Sequence, residues 1–212
     1  MKTFDFTNVA DKFENHIKGQ PLWYDLFVTN FLPEFLSFFI RNNSTVYDLG
    51  AFTGNIEMQL NDIISNRNIN FIPIEKNDSM IFNYKGNKDR IVKKDILSIK
   101  YKKFSLCTSI LTLSFLHPSK RKYLLRELKN KVEIGGAIII LEKFQNKSGI
   151  VGTIFNRITW KNKLNNKEPL EDIINKELAL SGSRYPLLKK EIKGFKLIWA
   201  YGDFKSYIYI KR

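Results

Sequence analysis

The stretch Ser44-Thr45-Val46-Tyr47-Asp48-Leu49-Gly50-Ala51-Phe52-Thr53-Gly54-Asn55-Ile56 decides how the rest of the chain is read. Val46, Tyr47 and Leu49 read as the end of a buried parallel strand. Gly50 and Gly54 bracket a tight turn, and Ile56, Met58 and Leu60 open an amphipathic helix. Strand, glycine-bearing turn and helix are the parts of a nucleotide-binding crevice. Glycine lets the backbone approach a ligand, and a helix N-terminus offers N–H groups. The G-x-G-x-x-G fingerprint is absent, because Phe52 stands where its second glycine would fall. Asp48, two residues before Gly50, would face the turn, where it could order the backbone or accept from an amine on a ligand. The same three parts also arise as plain structure, so the remaining residues must decide.

Outward from this point, the chain alternates strand and helix. On the N-terminal side, Phe4, Phe6, Val9 and Phe13 are spaced like one face of a short helix. A second helix starts near Leu22-Trp23-Tyr24, and Pro33 is placed to open a third. Phe31, Leu32, Phe35, Leu36, Phe39 and Ile40 form a stripe expected to pack on a sheet. On the C-terminal side, Asn70 to Glu75 reads as a second strand. Glu75 closes it at the position where, in a Rossmann-like sheet, an acid meets ribose hydroxyls; Lys76 follows it. A short third strand over residues 90–93 leads to Asp95-Ile96, placed to meet a base by amine acceptance and ring packing. Phe104 to Ser109 is a buried fourth strand, with Ile110 at its exit and residues 111–116 as the floor of the crevice.

His117-Pro118 breaks the chain, and Ser119 is expected to cap a helix over 120–131, with Tyr123, Leu124, Leu125 and Leu128 inward. His117 reads either as a group at the site edge or as a capping or surface histidine. Gly135-Gly136 turns into Ala137 to Leu141, an apolar run of the kind buried on both faces of a sheet. Residues 145–190 read as an insertion: a helix over 151–160, a polar linker over 160–167, a helix over 169–180 and a loop. A closing hairpin spans 195–210. The expected fold is α/β: one doubly wound, Rossmann-like, seven-stranded sheet, mostly parallel with a C-terminal antiparallel hairpin. It spans 1–212 as a single domain, with 1–43 as a helical lid and 145–190 as the insertion.

Composition narrows the function. The chain has 212 residues, enough for one such domain. A single cysteine and two histidines argue against a disulfide framework or a Cys/His metal centre. No apolar run approaches the ~20 residues of a membrane helix, and the first residues lack the layout of a signal peptide. A soluble, cytoplasmic protein without a membrane partner is expected. The net charge of +14 favours polyanions such as RNA, although scattered Lys beside abundant Asn is also what A/T-rich coding produces.

Four pieces in register carry a resemblance: Asp48-Leu49-Gly50 with Gly54, Glu75, Asp95-Ile96, and Gly135-Gly136 before a strand. Together they resemble class I S-adenosylmethionine-dependent methyltransferases. Val46 to Gly54, Leu111-Thr112-Leu113-Ser114-Phe115-Leu116-His117-Pro118-Ser119 with Arg121, Gly135-Gly136-Ala137, Glu142-Lys143-Phe144 and Val151-Gly152 with Phe155-Asn156 are similar to the carboxy-S-adenosylmethionine synthase family, which serves wobble-uridine modification of tRNA. The resemblance spans roughly residues 20–210.

It implies an enzyme of the transferase class whose cofactor is S-adenosylmethionine or its carboxylated form. Gly50-Ala51-Phe52 would lie under the methionine part, Glu75 would hold the ribose, and Asp95 with Ile96 would hold the adenine. Tyr24 lies near a cofactor-contacting tyrosine of the family, Ile110 stands where the family has an asparagine, and Glu75 replaces an aspartate. Near Lys176-Glu177 the family has an arginine that pairs with the extra carboxylate, a role left here to Lys176 or Arg184. The departures favour transfer of a methyl group to an unknown acceptor, with carboxy-S-adenosylmethionine synthesis from prephenate and a non-catalytic cofactor- or RNA-binding module as alternatives. The resemblance also implies a homodimer and association with tRNA.

Overall fold

The computed structural model describes residues 24–212. The N-terminal readings on Phe4 to Phe13, and the start of the second helix at Leu22-Trp23, lie outside the described residues. The elements are α1 (Leu32–Ser37), β1 (Thr45–Leu49), α2 (Asn55–Asn66), β2 (Asn70–Glu75), α3 (Asp78–Phe82), β3 (Val92–Lys93), β4 (Phe104–Ile110), α4 (Pro118–Lys131), β5 (Val132–Lys143), α5 (Gly149–Asn165), α6 (Leu170–Leu180), β6 (Lys196–Tyr201) and β7 (Phe204–Ile210). The strands form one sheet in the order β3-β2-β1-β4-β5-β7-β6. Pairs from β3 to β5 are parallel, and β7 is antiparallel to both β5 and β6. The order reverses between β1 and β4, and a crevice opens at the carboxyl ends of strands at such a switch point.

The period of two along β1 sorts its side chains onto two faces. Tyr47 and Leu49 join α4's Leu124, Leu125 and Leu128 in one core. Val46 joins Leu36, Leu60 and Ile64 in the other. The aromatic stripe is therefore core only in part: Leu32, Leu36 and Ile40 are buried, whereas Phe31 is largely exposed. The segment Asp25–Phe31 is a wide π-type turn that runs straight into α1, with Pro33 inside the join. Pro33 cannot donate and its ring crowds the carbonyl four residues back, which a wider helix accommodates. Phe27 of this segment stacks on Trp199 of β6 at 4.5 Å between ring centroids.

Four expectations need correction. Helix α4 starts at Pro118, and its N-cap is His117, whose ring nitrogen accepts from Ser119 N; Pro at the first helical position fixes the start two residues earlier than a Ser119 cap would. Tyr123 points outward, since Leu124, Leu125 and Leu128 already fill the buried face. Helix α5 continues to Asn165, so residues 160–165 are helix rather than linker. Lys and Asn lower propensity only slightly, and no Gly or Pro interrupts the segment. Gly135-Gly136 lies within β5, not ahead of it, and the pairing with β4 slips between Phe104 and Leu106 beside it.

Candidate functional site

Tyr47, Asp48 and Leu49 run β1 into the switch point, and the chain must turn at once. Gly50 has φ +67°, and a Cβ there would overlap the Thr112 side chain. Thr112 in turn donates through Oγ1 to Leu49 O at 3.0 Å. Only glycine meets both constraints. Phe52, with φ 55°, and Leu111, with φ 55°, are non-glycine residues in the left-handed region on opposite banks of the same opening. Strain of this kind is held by surrounding structure and clusters at functional sites. The N–H groups of the turn are committed to β2. Gly50 N and Ala51 N donate to Ile74 O at 2.9 and 3.0 Å. Phe52 N donates to Glu75 Oε2 at 3.0 Å. These three donors are not left for a ligand, contrary to the simplest reading of a glycine turn.

Beyond the turn lies a cavity of about 530 Å³, within the size range of small-molecule sites. Tyr24, Asp48, Gly50, Ala51, Phe52, Glu75, Lys76, Asp95, Ile96 and Ile110 all line it. Gly54 does not. It caps α2 with φ 86°, and a Cβ there would press on Tyr84 and Gly86 N, so its smallness serves packing. Glu75 Oε1 accepts from Lys76 N at 2.8 Å and Asn77 N at 2.9 Å. Asp95 accepts from Leu97 N at 2.9 Å, and its other oxygen pairs with Lys76 Nζ at 3.1 Å. Burial works to raise the Asp95 carboxyl, but that N–H bond and the Lys76 ammonium outweigh it, so it sits below the usual range.

Asp48 is buried at the back of the turn and accepts from Thr108 Oγ1 at 2.7 Å. Desolvation pushes its carboxyl up to about 7 against the Thr108 bond, with Glu75 and Glu57 adding to the rise. A ligand ammonium beside it would reverse that balance. Glu142 at the end of β5 is fully buried, and burial likewise raises it to about 7, opposed by Arg184 and by its hydrogen bonds. It accepts from Leu113 N and so fixes the floor loop.

The far end of the cavity is cationic. Lys143, Lys163, Lys176 and Arg184 line it together with Glu177, Thr159 and Phe204. Lys163 is 4% exposed. Lys143 Nζ donates to Asn156 Oδ1 at 3.2 Å. Lys176 and Arg184, the two candidates for the missing arginine, thus share the cavity with the cofactor-side residues. Lys143 and Lys163 carried no signal in the sequence beyond general basicity. Arg121 is fully buried behind the floor loop. It donates from Nε to Leu116 O at 2.9 Å, pairs with Glu191 at 3.1 Å, and donates to Tyr185 O. It ties the floor loop to the segment carrying Arg184. His117 lies in an exposed capping position and does not line the cavity.

No protein-family model matches the chain. It is 28% identical to a carboxy-S-adenosyl-L-methionine synthase from Staphylococcus epidermidis, over 97% of this chain and 94% of that protein. It is 24% identical to the synthase of the same name from a Shewanella species, over 100% of this chain and 94% of that one. Among solved structures it resembles an S-adenosyl-L-methionine-dependent methyltransferase from Methanococcus maripaludis, with a TM-score of 0.54, 18% identity and 100% and 95% of the two chains covered. It also resembles the cyclopropane synthase MmaA2 from Mycobacterium tuberculosis, with a TM-score of 0.51, 10% identity and 77% and 58% coverage. These structural neighbours share the Rossmann-like methyltransferase fold.

Proposed function

We propose that this chain, which resembles the carboxy-S-adenosylmethionine synthases in sequence and S-adenosylmethionine-dependent methyltransferases in fold, is a class I S-adenosylmethionine-dependent transferase that holds its cofactor as follows. S-adenosylmethionine lies across the carboxyl ends of β1, β2 and β4. Its ribose hydroxyls sit against Glu75, its adenine lies beside Asp95 and Ile96, and its amino group meets Asp48. One observation supports this most: three carboxylates, from β1, from the end of β2 and from just past β3, open onto one cavity beside a glycine turn. Gly50, Ala51 and Phe52 lie under the methionine part, while Tyr24 and Ile110 close its sides.

The chemistry is in-line displacement at the sulfonium methyl. The residues supply position and exclude water, and a bound acceptor held at attack distance needs little else. The acceptor end holds Lys143, Lys163, Lys176 and Arg184, cations in excess of the carboxylates of Glu142 and Glu177 that act on Arg184, and this excess favours an acceptor that carries negative charge. The same cluster supports a second reading, in which a carboxylated cofactor is made from prephenate and its added carboxylate pairs with Arg184 or Lys176. Incubating the protein with S-adenosylmethionine, with and without prephenate, and weighing the nucleoside products separates the two. S-adenosylhomocysteine alone supports methyl transfer, and a gain of one carboxylate supports the synthase reading.

Association with tRNA, a homodimer, a cytoplasmic location and a lid formed by residues 1–43 complete the proposal. The net charge supports the first. No helix among the described residues is long and apolar enough to cross a membrane. Tyr24 and Val28, inside the lid segment, line the cavity.

A further inference from the structure

We infer that the outer surface of α4, with the two segments beside it, is a docking face for the phosphate backbone of a folded RNA. The inference rests on the RNA association proposed above and gives it a surface; it does not use the cofactor cavity.

Three observations carry it. First, the sheet sorts the charge. Helix α4 holds six Lys and Arg against Glu127 alone. Helices α1 and α2, which pack on the opposite face through Leu36, Leu60 and Ile64, hold Glu34, Glu57 and Asp62 and no Lys or Arg. A coding bias toward lysine would load both faces alike. Secondly, the neighbours of α4 carry the same charge. Tyr101, Leu128 and Ile192 bury in one core, so residues 100–103 and 189–196 lie on the face that α4 covers. The first segment adds three exposed lysines, and the second adds Lys189, Lys190, Lys193 and Lys196, all exposed. Lys129 Nζ donates to Lys193 O, and Arg121 pairs with Glu191, which ties the second segment to α4 and occupies its one carboxylate. Thirdly, the helix gains nothing from this pattern. Lys122, Arg126 and Lys129 stand four and three residues apart on one stripe, where like charges repel. Among the described residues, Lys122, Arg126, Lys189 and Lys190 form no ion pair. Cations gathered without an internal partner suit an external polyanion.

The partner's chemistry follows from what else the face offers. A helix that lies on a membrane needs a free apolar side. Helix α4 uses its apolar side, Leu124, Leu125 and Leu128, in the core. Its exposed aromatic is Tyr123, with Arg126 over the ring at 5.6 Å, and such a ring can stack on an unpaired base. Cations for phosphates and a stacking surface fit RNA, whose loops present unstacked bases. The face begins beside the cavity, where the Lys120 ammonium acts on Asp95.

The test follows the fluorescence anisotropy of a labelled RNA hairpin titrated with the full chain, as salt is raised from about 50 to about 200 mM. The parent is expected to bind with a steep salt dependence. Lys122→Glu with Arg126→Glu, and separately Lys189→Glu with Lys190→Glu, are each expected to weaken binding about 10-fold or more. Each pair should also lower the slope of log affinity against log salt by about 2. Lys147→Glu with Lys161→Glu, exposed lysines of the insertion, changes the net charge equally and is expected to alter affinity by less than about 2-fold. Equal weakening by all three pairs overturns this face and leaves RNA association standing, whereas no binding by the parent overturns both. Sedimentation with phosphatidylserine vesicles runs in parallel: a parent that binds the vesicles and not the hairpin overturns the inference in favour of a membrane surface.

Discussion

The carboxylate of Glu75 holds the backbone N–H of Phe52 at 3.0 Å, joining the end of β2 to the glycine turn after β1. Its other oxygen is filled by the N–H groups of Lys76 and Asn77. A carboxylate has about four lone-pair sites, so one site, on Oε2, is left for a ribose hydroxyl. Glu75 therefore shapes the turn as well as facing the cavity, and the two roles can be separated.

Replacing Glu75 by alanine leaves the Phe52, Lys76 and Asn77 N–H groups without acceptors. It should lower stability by about 1–3 kcal/mol and S-adenosylmethionine affinity by more than 10-fold. Glu75→Gln keeps one acceptor oxygen and should retain more of the stability than of the affinity. Thermal unfolding and calorimetric titration of both variants check this; equal losses in both measurements for Gln and Ala would show that Glu75 is structural only.

Asp48 gives a pH signature. Its folded pKa, about 7, lies above the unfolded value, so the proton it holds stabilises the fold fully below about pH 4. That contribution fades as the pH rises through 7. Asp48→Asn mimics the protonated form, with an oxygen still able to accept from Thr108. The unliganded variant should be more stable than the parent at pH 8 by about 2–4 kcal/mol, and equal to it at low pH. The same variant should bind S-adenosylmethionine more weakly, since it cannot pair with an ammonium. Chemical denaturation at pH 5 and pH 8 reads the first effect; a parent whose stability rises between these values would contradict it.

Much of this site was legible in the residues. Asp48, Gly50, Glu75 and Asp95 stand at strand ends, and the period of the flanking apolar residues placed those ends correctly. What the sequence hid has physical causes. Gly54 looks like a ligand-facing glycine, but its missing Cβ makes room for Tyr84 and Gly86. Lys163 sits in a Lys/Asn-rich run whose composition imitates a solvated linker, and only the helix that carries it across the cavity turns it inward. Lys143 looks like the exit of a strand. Burial of a charge by a distant element leaves no periodic mark.

Arg121 should prove structural. It is fully buried and its partner Glu191 nearly so, and removing one member of such a pair costs about 3–5 kcal/mol. Arg121→Ala should lose that much in urea unfolding. Lysine should rescue little, because one ammonium cannot serve Leu116, Glu191 and Tyr185 together.

Gly50→Ala tests the turn. The added methyl meets Thr112 at a positive φ, so the variant should lose about 1–3 kcal/mol. Pairing it with Thr112→Ser, which removes one methyl and keeps the hydroxyl bonded to Leu49 O, should restore part of the loss in thermal unfolding. No restoration would place the strain wholly in the backbone.

The most direct measurement is a calorimetric titration of the purified protein with S-adenosylmethionine, run beside Glu75→Gln and Asp48→Asn. The account predicts saturable binding at one site per chain for the parent and more than 10-fold weaker binding for each variant. No heat of binding in the parent, or variants that bind as tightly as it does, would contradict the placement of the cofactor across the ends of β1, β2 and β4.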